Sequence, residues 1–392
     1  MAELQSLKDV IKSIQKNFGA DVIQFGVKEV SERGVLSLGT PTLDFCTYNS
    51  IPQGSFIEIS GKESSGKTTL AFLIARSYTR NELKDHPDNP RAILFIDAEG
   101  TADPTWAKQS TGYDMNDDKV KTLYLAPQGQ SMEEILDMAI EAVKTGEIGL
   151  VILDSLVALA PQLTNEESLT KKDMGGIAKP MADFVKRSTG VFNKHKCTFI
   201  GLNGVIMNIG GYGNPEVTPG GEYWKRACSL RIRVKRGEYF DADGNTLKTT
   251  ATNPAGHTIE MALLKSKFCR SDRKLGIAHL NYSSGMDILQ DTIDTAVILG
   301  LIDNSTQGYY KIIDADTGEI ATDADGNEIK IKGIKNVKPY FLEHTEEWHK
   351  LYDKVYEKLS DKTPSNIQSF EQMLGIDMDS YFGVNLSEEQ AE

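Results

Sequence analysis

The sequence has few cysteines and histidines, and those it has are scattered. Its four cysteines, Cys46, Cys197, Cys228 and Cys269, form no CxxC pair, and its six histidines show no metal-ligand spacing. This argues against a zinc site or a disulfide framework and is typical of core thiols in a reducing compartment. Apolar runs are too short to span a bilayer, and residues 1–19 lack the apolar region of a signal peptide. We expect a cytoplasmic protein without a membrane partner.

Positive charge is in short supply. The 43 Lys and Arg residues against 56 Asp and Glu give a formal net charge of -13. Taken as a whole, this balance argues against a nonspecific coat on nucleic acid, so the position of the basic residues matters more than their number. The length of 392 residues is enough for two or three domains.

Short apolar strands alternate with helical segments from about residue 38. The runs FIEIS, AILFIDAEG, TLYLA, GLVILDS and CTFIGLN predict buried strands with helices between them. This alternation predicts an α/β fold with a doubly wound, mostly parallel sheet. The segments SLRIRVKRGEYF and TLKTTATNPAGHTIEMALLKSK then predict a hairpin of added strands that turns at DADGN.

The two ends of the chain differ from this core. Residues 1–36 predict a helix and strand, and the helix has one apolar face that docks on its own domain or on a neighbouring subunit. We expect residues 37–285 to form the core, 286–364 a small α+β domain, and 365–392 a flexible acidic tail. The stretch DADTGEIATDADGNE does not have the carboxylate spacing of a calcium loop, so it predicts turns.

A phosphate-binding loop is predicted at residues 61–69. GKESSGKTT fits G-x-x-x-x-G-K-[ST] between a strand and a helix, which is the context that the motif requires. Backbone N–H groups surround the phosphates, Lys67 reaches the β- and γ-phosphates, and Thr68 holds Mg²⁺. The predicted nucleotide-binding residues here are Gly61, Lys62, Glu63, Ser64, Ser65, Gly66, Lys67, Thr68 and Thr69.

Carboxylates follow two of the predicted strands. In LVILDS four apolar residues are followed by Asp154, which we expect to bind the metal ion through water, with a simple strand-ending turn as the alternative. LFIDAEG carries Asp97 and Glu99, and alternation puts Glu99 nearer the phosphates. We predict that Glu99 orients the water that attacks ATP, with structural capping as its alternative.

These motifs together resemble one family. GKESSGKTT, LFIDAEGTADPTWA, LVILDSLVAL, NGVIMNIGGYGNPEVTPGG and KSK follow one another as in the bacterial RecA recombinases. The similarity reaches about residue 290 and weakens to about 360, as in a divergent, phage-encoded or otherwise distant member. It implies a RecA-type P-loop ATPase core with two DNA-binding loops, and roles in DNA recombination, repair and ATP-dependent sensing of DNA damage.

The resemblance implies that residues 163–176 and 205–220 are the DNA-binding loops and face the axis of a filament. Glycines in the second loop permit backbone contacts to phosphates, and its apolar and aromatic side chains can stack on bases. The implied DNA-binding residues are Lys171, Lys172, Met174, Gly175, Lys179, Lys186, Ile206, Met207, Gly210, Gly211, Tyr212, Asn214, Glu216, Gly220 and Gly221.

Further residues are assigned by resemblance. Asp103 and Trp106 match an adenine-contacting acid and aromatic residue. Lys265 and Lys267 match lysines that act catalytically on the ATP of the neighbouring protomer, and a plain exposed strand face is the alternative.

One position departs from the family. Gly204 replaces the glutamine that senses the γ-phosphate, so either Asn203 takes over or ATP and DNA binding are coupled differently.

The expected function is an ATP-dependent recombinase that polymerises on single-stranded DNA and promotes homologous pairing and strand exchange. Its cofactors would be ATP and Mg²⁺. Its partners would be single-stranded and double-stranded DNA, further copies of the chain, and single-strand-binding and mediator proteins. The basic stretch KIKGIKNVK, residues 330–338, either gathers duplex DNA or is a surface hairpin. A hexameric DNA motor and a nucleotide-gated mediator without strand exchange are the alternatives.

Overall fold

The computed structural model describes residues 7–19, 23, 34–162, 176–207, 216–314, 317–323 and 326–360. Its helices are α1 (Leu7–Phe18), α2 (Pro41–Thr47), α3 (Lys67–Asp85), α4 (Pro104–Thr111), α5 (Met132–Lys144), α6 (Ala178–Lys194), α7 (Gly221–Ala227), α8 (Ile288–Ile298), α9 (Val337–Glu343) and α10 (Thr345–Leu359). Its strands are β1 (Val35–Leu36), β2 (Ile51–Pro52), β3 (Phe56–Gly61), β4 (Ala92–Asp97), β5 (Thr122–Leu125), β6 (Ile148–Asp154), β7 (Thr198–Asn203), β8 (Ile206–Met207), β9 (Glu216–Val217), β10 (Leu230–Phe240), β11 (Thr246–Leu247), β12 (Gly256–Ser266), β13 (Leu275–Asn281), β14 (Gly285–Met286), β15 (Ile302–Asp303), β16 (Tyr309–Ile312) and β17 (Lys330–Lys332).

The chain divides into two compact units, Met1–Ser37 with Ile51–Val234, and Leu38–Ser50 with Lys235–Glu392. In the first unit, parallel strands follow the order β10-β3-β7-β6-β4-β5, to which β10 contributes Leu230–Val234. Every residue of β3, β6 and β7 is buried. Parallel strands covered by helices on both faces have this character, and the predicted doubly wound α/β fold is confirmed.

An aromatic cluster holds α6 and α7 against this sheet. The ring of Phe199 lies 5.0 Å from that of Phe184 on α6 and 5.9 Å from that of Trp224 on α7. Phe56 on β3 and Phe192 on α6 complete the cluster, with ring centroids 5.4 Å apart. Burying each ring contributes roughly 1.5–3 kcal/mol, so these residues fix the helices that precede and follow β7.

The carboxyl ends of the central strands lie at one edge of the sheet. Asp154 at the end of β6 is in register with Asp97 at the end of β4. Asn203 at the end of β7 is in register with Ser60, next to the last residue of β3. In parallel sheets this edge is where ligands bind, and here it gathers the segments that the sequence motifs single out.

The second unit contains antiparallel strands. β12 pairs with β13 from Gly256↔Asn281 to Ala262↔Leu275, and β13 pairs with β14. The last residues of β10 pair with β11, and Asp241 accepts a hydrogen bond from the Asn245 backbone at 2.8 Å, so the turn predicted at DADGN is confirmed. The strand predicted to follow that turn is interrupted between β11 and β12. Pro254 lies in the interruption, and proline cannot donate a ladder hydrogen bond.

The last helices of the second unit share one apolar core with the three-stranded sheet β15-β16-β17. This core includes Ile293 on α8, Phe341 on α9 and Val355 on α10. The predicted turns are also present, since Asp314 accepts from the Thr317 backbone and Asp323 from the Asn327 backbone, both at 2.9 Å.

The basic stretch 330–338 comprises β17, a short 3₁₀ turn at Ile334–Asn336 and the start of α9. Its strand pairs antiparallel with β16, as in a hairpin, and the rest of the stretch is helical. A role in gathering duplex DNA stays a prediction. Lys338 is ion-paired with Asp287. Residues 24–33 of the region predicted to form the N-terminal helix and strand, and the acidic tail 365–392, lie outside the described residues. Among the described helices, none has the length and apolar character that a membrane span requires.

Candidate nucleotide and DNA site

The phosphate loop closes tightly between β3 and α3. Gly66, at the N-cap of α3, has φ 94°, and Ser64 also has a positive φ of 55°. A Cβ on Gly61 would lie 2.4 Å from Ser65 Oγ and 2.5 Å from the carbonyl oxygen of Val234, so only glycine fits there. Lys67 Nζ donates to the carbonyl oxygens of Gly61 at 3.2 Å and Lys62 at 2.9 Å. The loop thus curves around its own lysine.

The residues of this loop fit a phosphate group. Ser65 is only 4% exposed, and its hydroxyl has no hydrogen-bond partner among the described residues. A buried hydroxyl without a partner is costly, and a phosphate oxygen would satisfy it. The N-terminus of the long helix α3 also favours an anion. Burial lowers the pKa of Lys67, opposed by the carboxylates of Asp154, Glu99 and Glu63.

Thr68 and Asp154, predicted as metal-binding residues, are brought together. Thr68 Oγ1 donates to Asp154 Oδ2 at 2.7 Å, across 86 residues of sequence. Burial raises the pKa of Asp154 to about 6, with help from Glu99 and Asp97, while Thr68 and Lys67 oppose the rise. A cation beside Asp154 would favour the ionised form, and hydroxyl and carboxylate oxygens are ligands that suit Mg²⁺.

Glu99 lies on a loop that Asp97 orders. The buried Asp97 carboxylate accepts from the backbones of Gly100 at 2.8 Å, Thr101 at 3.2 Å and Ala102 at 2.9 Å, and from the Tyr124 hydroxyl at 2.6 Å. Asp97 therefore makes the capping hydrogen bonds in this loop, which is the role predicted from the sequence as the alternative for Glu99.

The Glu99 side chain points to the end of β6. It is exposed, and its Oε1 accepts from Ser155 Oγ at 2.5 Å. The Ala98 backbone donates to the Asp154 carbonyl at 2.7 Å, which fixes the loop beside the metal-binding pair. Sequence reasoning missed the contacts of Ser155 and Tyr124, because no spacing rule pairs either residue with a carboxylate that follows another strand.

Asp103 and Trp106 lie at the start of α4. Asp103 Oδ1 caps this helix by accepting from the backbones of Thr105 at 2.8 Å and Trp106 at 3.2 Å. Asp103 is exposed and Trp106 is half-buried. The structure gives Asp103 a capping role, and contact of either residue with adenine stays a prediction.

Asn203 is fully buried at the end of β7. Its Nδ2 donates to Glu58 Oε1 and to the Pro219 carbonyl, both at 2.9 Å. The amide nitrogen is thus used to hold the end of the second loop. This arrangement favours the second of the two alternatives for the missing glutamine, in which ATP and DNA binding are coupled by another route.

Glu58 is the centre of a buried network that sequence reasoning missed. It also accepts from Trp224 Nε1 at 3.1 Å and from Arg231 Nε at 2.6 Å. Arg231 in turn donates to Thr218 Oγ1 at 3.1 Å. The available signal was the acidic residue inside the apolar run FIEIS, since a buried charge needs a partner.

The base of the second loop is a short hairpin. Ile206 pairs with Val217 and Met207 with Glu216, and Ile206 is 54% exposed. Gly220 and Gly221 have φ of 100° and 76°, and a Cβ on Gly221 would lie 2.9 Å from Ala178 Cβ. Other predicted DNA-binding residues lie outside the described residues: Lys171, Lys172, Met174, Gly175, Gly210, Gly211, Tyr212 and Asn214.

Glu216 joins this hairpin to the phosphate loop. Its Oε1 lies 3.0 Å from Lys62 Nζ, and its Oε2 accepts from the guanidinium of Arg233 at 2.6 Å. Arg233 also donates to Ser60 Oγ at 3.1 Å, near the end of β3. The carboxylate predicted to contact DNA therefore faces the loop predicted to bind ATP.

A family model for the RecA N-terminal domain matches residues 5–287. The chain belongs to the RecA family. It is 29% identical over 355 residues to Protein RecA of Sulfurimonas denitrificans, covering 90% of this chain and 92% of that one. It is 29% identical to Protein RecA of Mesoplasma florum over 309 residues, covering 78% and 85%, and 30% identical to that of Ruminococcus albus over 301 residues, covering 76% and 70%. Membership of this family supports, in general terms, a recombinase and ATPase activity of the RecA type.

The predicted basic residues of α6 in this RecA-family chain are exposed. Lys179 and Lys186 are seven residues apart, which puts them on one helix face. Lys186 Nζ lies 3.4 Å from Asp183 Oδ1 and 5.3 Å from the centroid of the Tyr223 ring. Tyr223, exposed at 47%, was not predicted and adds an aromatic surface next to this lysine.

The two predicted catalytic lysines of the second unit lie at the end of β12. Lys265 is half-buried in that strand, and Lys267 is exposed just beyond its last residue, Ser266. Both have interactions within the chain. Their action on a neighbouring protomer stays a prediction.

Proposed function

We propose that this chain is an ATP-dependent homologous recombinase that polymerises on single-stranded DNA. Its ATP hydrolysis is stimulated by DNA, and it exchanges strands with homologous duplex DNA. The observation that carries this proposal is the shared sheet edge of the first unit. There the phosphate loop, the Thr68–Asp154 pair and the hairpin of the second loop follow the neighbouring strands β3, β6 and β7.

Each residue at this edge has a distinct role in the proposed reaction. Lys67 and the loop backbone bind the phosphates, and Thr68 and Asp154 hold Mg²⁺, which when bound offsets phosphate charge. Glu99 orients and accepts a proton from the attacking water. The hydrogen bond from Ser155 to Glu99 keeps that carboxylate at the end of β6.

Exposed edges of the first unit support self-assembly. Among the described residues β5 is the last strand of its sheet, and its Leu123 and Tyr124 are exposed at 46% and 51%. An uncovered edge strand readily pairs with a strand of another chain. On α1, Leu7 and Val10 are also exposed. A head-to-tail filament would cover such surfaces and would bring Lys265 and Lys267 to a neighbour's ATP.

The DNA-facing surface is supported by side-chain chemistry. Lys179 and Lys186 supply positive charge, while the exposed Ile206 and Tyr223 offer surfaces on which bases stack. Homologous pairing would then be specified by the bases themselves, with the protein holding the backbone.

Mixing of two inactive variants tests the shared site. We expect Glu99→Gln and Lys265→Ala each to lower DNA-stimulated ATPase activity. A filament of either variant alone lacks Glu99 or Lys265 at every interface. If Lys265 acts on a neighbour, equal mixing restores complete sites at roughly a quarter of the interfaces, because a heterologous contact takes one group from each protomer. Lys248→Ala, on an exposed lysine of the same unit, serves as the control.

Three outcomes contradict the proposal. The first is a chain that stays monomeric with ATP and an oligonucleotide in electron micrographs. The second is an ATPase rate that single-stranded DNA does not change. The third is the absence of strand exchange by a chain that does form filaments, which would favour the mediator.

A further inference from the structure

Among the described residues, a side-chain ion pair directly connects the phosphate loop to the second loop. Gly204 has no side chain, and the Asn203 amide nitrogen is held by Glu58 and Pro219. The Lys62–Glu216 ion pair, in contrast, directly joins the two loops at 3.0 Å. Glu216 lies in the strand opposite Met207, at the base of the hairpin.

The two cations that contact Glu216 differ in solvent exposure. The Arg233 side chain is 10% exposed, so its 2.6 Å contact fixes Glu216 on the side of β10. The Lys62 side chain is 72% exposed and has a flexible stem. An exposed ion pair is worth little in free energy, so a stronger anion competes well for Lys62. A polyphosphate bound in the phosphate loop would be such an anion, because it carries several negative charges where Glu216 carries one.

We propose that Glu216 is a positioning residue through which nucleotide binding controls the second loop. Phosphates in the loop attract Lys62 away from Glu216, which keeps its contact with Arg233. The hairpin of Ile206, Met207, Glu216 and Val217 is then no longer tied to the phosphate loop and becomes available to single-stranded DNA. The inference rests on the proposed function, because it presumes that the phosphate loop binds ATP and the second loop binds DNA. It assigns the coupling to an ion pair rather than to a glutamine side chain.

A comparison of four chains tests this assignment. The wild type, Lys62→Met, Glu216→Gln and the double variant are titrated against a fluorescein-labelled oligo-dT by anisotropy, with and without saturating Mg²⁺ and a non-hydrolysable ATP analogue. We expect either single change to raise affinity for DNA without nucleotide and to reduce the gain from the analogue about fivefold. In the double variant this gain should be reduced no more than in either single variant, because both substitutions remove the same Lys62–Glu216 contact.

The control is Glu357→Gln, which removes an exposed carboxylate 3.1 Å from Lys354 on α10. It should behave as the wild type. An undiminished gain from the analogue in both single variants, or additive losses in the double variant, would overturn the inference. Lys62→Met leaves the Glu216–Arg233 contact intact, so it remains informative even if Glu216→Gln destabilises the fold.

Hydrogen exchange separates this inference from the proposed function. In the wild type without DNA, the analogue should change exchange in residues 204–220, and Glu216→Gln should abolish that response. A wild type that shows the response but binds no single-stranded DNA retains the inference and loses the proposed function. The same response in Glu216→Gln as in the wild type refutes the coupling, whatever the ATPase rate.

Discussion

Replacing Glu58 with glutamine should destabilise the first unit and loosen its second loop. Glu58 is fully buried and accepts hydrogen bonds from Asn203, Trp224 and Arg231. The amide group introduced by Glu58→Gln would turn an N–H toward one of these donors. The change also removes the charge that pairs with Arg231 at 2.6 Å.

The expected loss follows from the burial of the pair. Breaking a buried ion pair by removing one partner costs about 3–5 kcal/mol. The Arg231 side chain is 17% exposed, so solvent offsets part of the cost, and we expect a value near the lower end, about 3 kcal/mol. Because a domain is stable by only about 5–15 kcal/mol, this is a large fraction of the total.

Urea unfolding followed by Trp224 fluorescence measures this loss. Trp224 is one of three tryptophans, so a background with Trp106→Phe and Trp348→Phe reports on the first unit alone. Glu357→Gln is the exposed control, with an expected change below about 0.5 kcal/mol. Adding Arg231→Met to Glu58→Gln should recover part of the loss, because no buried charge is then left unpaired.

A loss below about 1 kcal/mol with an unchanged denaturant slope would refute this reasoning. It would show that the network contributes little beyond its hydrogen bonds. Equal losses in the single and double variants would refute the role of the stranded charge. The tie to the second loop is tested separately, since Asn203 and Thr218 hold its two ends and exchange in residues 204–220 should increase.

Three further predictions concern the chemistry and the pH response. Glu99→Gln should lower the ATPase rate by on the order of 10²–10⁴ while ATP binding, measured by calorimetry, stays intact; equal losses of binding and turnover would contradict the role in hydrolysis. Asp154→Asn should reduce the increase in ATP affinity that Mg²⁺ provides by about tenfold, and an unchanged increase would exclude Asp154 from the metal site. Burial and Arg236 lower the pKa of His257 to about 4, so the neutral form is favoured in the fold and stability is lost as pH falls below 6.5. Between pH 7 and 5 the unfavourable protonation of His257 should lower the free energy of unfolding by on the order of 1–2 kcal/mol. His257→Gln should remove this pH-dependent loss, whereas the control His86→Gln, at an exposed site, should not. Equal pH slopes of the melting temperature in His257→Gln and the wild type would contradict this.

The sequence was most informative where structure follows from local pattern. Buried strands such as β6 appear as unbroken apolar runs, and the phosphate loop follows from glycine spacing between a strand and a helix. Asp154 was predicted for the same reason, because the end of a buried parallel strand must lie at the ligand edge. The family resemblance added the assignments of Lys265 and Lys267, which no spacing rule provides.

The rest depends on contacts between distant residues. Glu58 and Arg231 are 173 positions apart, and neither belongs to a motif. Glu216 was predicted to contact DNA because of its place in the second loop, whereas its contacts with Lys62 and Arg233 depend on where the hairpin β8-β9 places its carboxylate. Short helices such as α2 and α7 also escaped prediction, because seven residues carry too little periodicity.

The hydrogen bonds to Asp97 have a thermodynamic consequence for the segment that bears Glu99. Residues 100–102 lose their conformational freedom when the chain folds, since Asp97 holds their backbone through its own carboxylate. Because residues 100–102 are already ordered, nucleotide binding costs little further conformational entropy in this segment. Calorimetry should accordingly find a heat-capacity change that matches the apolar area the ligand covers, without the larger change that accompanies folding of a segment on binding.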